Sequence, residues 1–159
     1  MDGKRFSLAK PDFIKALQIN DSSVYSLYCL SSLYNFDNIN DSALILINKA
    51  MSVKYKDGYA RDYNNYFSQR FDIKYNELIF FRGIIYYDLR LLDYARNDFI
   101  HLVADNYEVG EGCAYLSAIY QKKNVIDSAC YYQYEAQRYG YRDVVDSVPA
   151  LSCITSAKN

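Results

Sequence analysis

The sequence predicts an all-α fold, an α/α solenoid of antiparallel helix pairs, on three observations. First, two blocks of 34 residues repeat their small and aromatic positions: Gly83, Tyr86, Asp93, Ala95, Phe99 and Leu102 return as Ser117, Tyr120, Asp127, Ala129, Gln133 and Ala136. A period of this length is one helix-turn-helix unit. Second, Asp41-Ser42-Ala43 matches Asp127-Ser128-Ala129, and Asp93-Tyr94-Ala95 differs from them by one residue. Third, the 159 residues are 51% apolar, enough for one domain with a continuous core.

The elements follow in chain order. Residues 6–21 read as half a unit, because Ala9, Phe13 and Ala16 stand one period before Ala43, Ile47 and Ala50. This is a second helix without its first, with Pro11 at a first turn, where its missing N–H costs nothing. It is either an N-terminal cap or the remnant of a longer array. The first complete repeat spans 24–57, with Leu27, Ser31, Tyr34, Ala43, Ile47 and Ala50 in its framework. A small residue on one helix and another across the turn let the pair approach closely, with the tyrosine filling the space beyond. Gly58 reads as a helix stop. Residues 58–75 then form an aromatic insert of 18 residues, with Tyr59, Tyr63, Tyr66, Phe67 and Phe71 around Arg61, Asp62 and Arg70. Its spacings of four and three fit a short amphipathic helix, and a packed loop is the other reading. Repeats at 76–109 and 110–143 resume the pattern. In both, Asp93 and Asp127 are expected to cap the second helix and complement its dipole. Residues 144–159 read as a cap, with Val144, Val145, Val148 and Leu151, followed by a tail.

This pattern resembles the tetratricopeptide repeat (TPR), whose signature places a small residue, Tyr, Ala, an aromatic and then Ala or Leu at these offsets. With Asn76 as repeat position 1, Gly83, Tyr86, Ala95, Phe99 and Leu102 are positions 8, 11, 20, 24 and 27. Two departures stand out: Gln133 occupies an aromatic position, and Ile79 and Cys113 stand where tryptophan is common. The resemblance implies a protein–protein interaction module, with a peptide or partner protein held in a concave groove lined by the first helices. Carried over position by position, the groove is Tyr25, Tyr28, Ser32, Asn35 and Phe36, then Glu77, Phe80, Ile84, Tyr87 and Asp88, then Glu111, Ala114, Ala118, Gln121 and Lys122. The strongest partner-binding candidates are Tyr25, Tyr28, Asn35, Phe36, Phe80, Ile84, Tyr87, Asp88, Gln121 and Lys122. Family members that clamp a peptide's terminal carboxylates use Lys, Asn and Arg where this chain has Tyr28, Ser32, Phe80, Ile84, Ala114 and Ala118, so no such clamp is expected here.

Other chemistry finds no support. Net charge is −1, so nothing draws the chain as a whole to nucleic acid or anionic membranes, and Lys122 is the sole cation at the groove positions. The lone His101 has no metal-ligand spacing around it, and the carboxylates read as caps and helix-face charges, so no catalytic residue, metal or cofactor is expected. Cys29, Cys113, Cys130 and Cys153 show no C-x-x-C and read as free thiols. A Cys113–Cys130 bridge across facing helices is the alternative in an exported protein. No apolar run is long enough to span a bilayer. A native Met1 implies the cytoplasm, and a removed signal or anchor implies export. The nineteen tyrosines suit a binding surface. A structural self-association module, assembling as a homo-oligomer through the open N-terminal end and the 58–75 insert, is the second reading.

Overall fold

A computed structural model describes residues 3–56 and 72–141, with side chains over 9–55 and 72–141. Among the described residues the chain is all-α. It forms seven helices, α1 (Gly3–Ile19), α2 (Val24–Phe36), α3 (Asn40–Lys56), α4 (Tyr75–Asp88), α5 (Leu92–Ala104), α6 (Val109–Lys122) and α7 (Ile126–Arg138), and no strand. They fall into two compact units, Met1–Leu91 and Leu92–Asn159. The insert lies outside the described residues except for its last four, as do the cap and tail after 143.

In the first unit each helix packs on the next: α1 on α2, α2 on α3 and α3 on α4. Leu27, Leu30 and Leu33 of α2, Ala43, Ile47, Ala50 and Met51 of α3, and Leu78, Ile79 and Ile85 of α4 form its core. Each buried leucine or isoleucine contributes about 1.5–3 kcal/mol relative to exposure. In the second unit α5 packs on α6 and α6 on α7. Ala95, Phe99, Leu102, Leu116, Ile119 and Ala129 are all fully buried there.

The period is written most plainly in the turns. Asn38, Arg90 and Asn124 all adopt the left-handed conformation, with φ of 60°, 62° and 57°. At each, the residue that follows donates its N–H back across the turn: Ile39 to the Tyr34 carbonyl at 2.8 Å, Leu91 to Tyr86 and Val125 to Tyr120, both at 2.9 Å. This is the Schellman arrangement, which satisfies carbonyls that a helix end would otherwise orphan. The same closure ends α5 and α7, at Asn106 (φ 56°) and Gly140 (φ 80°), one period apart. Asparagine and glycine tolerate this conformation readily, whereas Arg90 is held in it against its preference.

A second repeated contact fixes the helix pairs. Ser31 donates its hydroxyl to the Ala43 carbonyl at 2.8 Å, and Ser117 donates to the Ala129 carbonyl at the same distance. The alanine's methyl group is small enough to let the serine's helix come close, so the hydroxyl reaches the backbone of the facing helix. Ala43, Ala95 and Ala129 are all 0% exposed. Their counterpart in α1, Ala9, is only half-buried, and so is Ala16 beside the fully buried Ala50.

Three expectations need correction. Pro11 lies well inside α1 and not at its first turn. Packing against α2 holds the helix together despite the hydrogen bond a proline cannot donate. The aspartates of the Asp-x-Ala triplets belong to the first helical turns but are not shown as caps. Val125 is the N-cap of α7 and makes no side-chain cap bond, with Asp127 two residues on. Asp93 accepts from Lys123 Nζ at 2.6 Å and pairs with Arg96 at 3.2 Å, and the Lys123 bond holds its carboxyl below the usual range. These residues act on the helix dipole and on charge pairs. Hydroxyl capping is found instead at Ser23, whose Oγ accepts from the Ser26 N–H at 3.3 Å. Finally, the cysteines are not all free thiols: Cys29 and Cys113 are, but Cys130 is disulfide-bonded, and not to Cys113.

Candidate binding faces

The face of the first unit is built by α2 and α4. No residue of α2 is charged, so its exposed side is aromatic and amide in character. Tyr28 meets Phe81 of α4 edge to face, with ring centroids 5.4 Å apart. Seven residues further along both helices, Asn35 donates its Nδ2 to Asp88 Oδ2 at 2.8 Å and to Asn40 Oδ1 at 3.0 Å. Both α2–α4 pairs span 53 residues of sequence, so α2 and α4 run parallel and in register. The contacts lie two helical turns apart and tie the first helices of two successive repeats into a ladder.

Around that ladder, Tyr25, Tyr28, Asn35, Phe80 and Ile84 are half-buried, whereas Phe36 and Asp88 are exposed. Phe36 is 63% exposed, which is unusual for so large an apolar ring. Tyr25 packs edge to face on Phe13 of α1 at 6.2 Å. The charge and hydrogen-bonding of the neighbouring Cys29 raise the Tyr25 hydroxyl, while burial raises the Cys29 thiol itself. Burial and then the Glu77 carboxylate push the Tyr28 hydroxyl up. Glu77 in turn accepts the Lys74 N–H at 2.7 Å, at the start of α4. Beside the ladder, Lys10 of α1 lies over the Tyr34 ring at 4.0 Å and pairs with Asp37 at 3.1 Å.

Tyr87 differs from its neighbours. It is 2% exposed, continuing the buried stripe of Ile79 and Gly83 at intervals of four residues. It belongs to the core and offers a partner little surface. The ladder therefore gathers Tyr28, Asn35 and Asp88, with Phe36 adjoining, and leaves Tyr87 underneath.

The corresponding helix of the second unit, α6, presents a different surface. Ala114 and Ala118 are buried, and Glu111, Gln121 and Lys122 are half-buried. Burial and the nearby Glu108 raise the Glu111 carboxyl. Two pairs of rings in this unit stack between neighbouring helices: Phe99 on Tyr115 at 4.5 Å and Tyr120 on Tyr132 at 5.5 Å, both nearly parallel. Cys113 is buried, which together with the Glu135 charge pushes its thiol up to about 11.

Two features escaped the sequence reading. Phe81, one residue beyond the assigned Phe80, provides the ring that meets Tyr28. The Phe80-Phe81 pair was the available signal, since adjacent aromatics on a helix cannot share one face. Tyr131 and Tyr134 of α7 stand 59% and 61% exposed, and their spacing of three residues marks a shared outer face.

Among the described residues there is no group of three His, Cys, Asp or Glu side chains able to hold a metal ion, and no helix long and apolar enough to cross a membrane. His101 is exposed and faces Asp105 at 3.6 Å. A scan against protein-family models and a search of curated proteins find no match to this chain.

Proposed function

We propose that this chain is a protein–protein interaction module of the TPR-like superhelical kind, a scaffold that binds a peptide or partner protein along the first helices of its repeats, with no catalytic role of its own. The observation that carries the reading is the in-register α2–α4 ladder, with Tyr28 on Phe81 and Asn35 on Asp88. Parallel first helices joined side by side are what a stacked array requires of successive repeats. The recurrence of the left-handed turns, 34 residues apart from Arg90 to Asn124 and from Asn106 to Gly140, and the reappearance of the serine-to-alanine bond support the same reading.

The surface beside the ladder has the composition of a binding site. A large exposed ring at Phe36 and half-buried tyrosines can bury apolar anchors at low entropic cost, while Asn35 and Asp88 supply directional polar contacts. An extended or helical peptide with apolar side chains is the ligand class that fits.

Capture of a partner from an extract of the source cells tests this. Wild-type protein is compared with a Tyr28→Ser, Phe36→Ser variant, both checked for helicity by circular dichroism. Loss of one captured protein with the variant supports binding at the α2–α4 face. Equal capture by two folded proteins excludes that face.

One observation favours self-association as a second reading. The face of α1 that a first helix would cover leaves Ala9 and Ala16 half-buried, with Ile14 and Ile19 exposed nearby. Sedimentation over a wide concentration range separates the two, since assembly through α1 requires mass to rise with concentration.

A further inference from the structure

We draw no further inference here: the strongest candidate, the uncovered face of α1 at the start of the first unit, with Ala9 and Ala16 half-buried and Ile14 and Ile19 exposed, is an unpartnered apolar face, and nothing in the structure shows what covers it.

Discussion

Position 5 of the repeat is Tyr28 in α2, half-buried against Phe81, and Ala114 in α6, buried. Position 9 is Ser32 in α2, Ile84 in α4 and Ala118 in α6; position 13 is Phe36, Asp88 and Lys122. Between these variable places the framework does not change: the left-handed turn residue and the buried alanine occur in every repeat, and the serine-to-alanine bond occurs in both units. The contrast separates residues that build the repeat from residues that give each unit its surface. Framework positions are constrained by close approach and by backbone hydrogen bonds, which leave few choices. The variable positions are not bound by the turn and the alanine contact, and there α2 carries Tyr28 and Phe36 where α6 carries the buried Ala114 and the half-buried Lys122.

The sharpest way to break the comparison is at position 24, where Ile47 and Phe99 are both 0% exposed but the last repeat has Gln133, half-buried. Phe99→Ala should lose about 3–5 kcal/mol in denaturant unfolding and Ile47→Ala about 2–5. Gln133→Ala should lose less than about 1 kcal/mol. A large loss at Gln133 would mean that the last repeat is built like the others.

The next effect is read at a buried thiol of the second unit. Its Cys113 thiol is raised from an ordinary 9.0 to about 11. Between these values the folded state holds the proton that the unfolded state has released, so stability falls as pH rises through this window. The loss attributable to this thiol should reach roughly 2–3 kcal/mol by its upper end, and it should be absent from Cys113→Ala. Parallel pH profiles of the two proteins would refute the assignment.

Close approach is tested at Ala95. Ala95→Leu should cost roughly 1–3 kcal/mol by overpacking, where an exposed alanine would tolerate leucine within a few tenths. An unchanged melting midpoint would mean that the repeat register is wrong. The smallest effect should be common to both units: Ser31→Ala and Ser117→Ala should each cost about 0.5–1.5 kcal/mol, and by similar amounts. A clear difference between them would break the equivalence of the two pairs.

The sequence made the framework legible because its constraints are local and periodic. Ala43, Ala95 and Ala129 located buried helix contacts, and the shift of 52 residues between the first two is repeated by the turn residues Asn38 and Arg90. Other features depend on tertiary neighbours that spacing does not reveal. Tyr87 was assigned to the surface along with Ile84 and Asp88, yet it extends the stripe of Ile79 and Gly83 into the core. A face as wide as those groove positions straddles the boundary between core and solvent. Pro11 was displaced to a helix end by its propensity, which packing on α2 overrides. The acidic first turns were visible, but Lys123, which engages Asp93, is contributed by a helix end thirty residues away.

The most direct test of the central claim is carbene footprinting of the complex with the captured partner, read residue by residue against the free chain. The binding-module reading predicts reduced labelling at Phe36 and Asp88, both exposed in the free chain, with Tyr131 and Tyr134 unchanged. Protection confined to Tyr131 and Tyr134 would contradict it and place the partner on the outer face of α7.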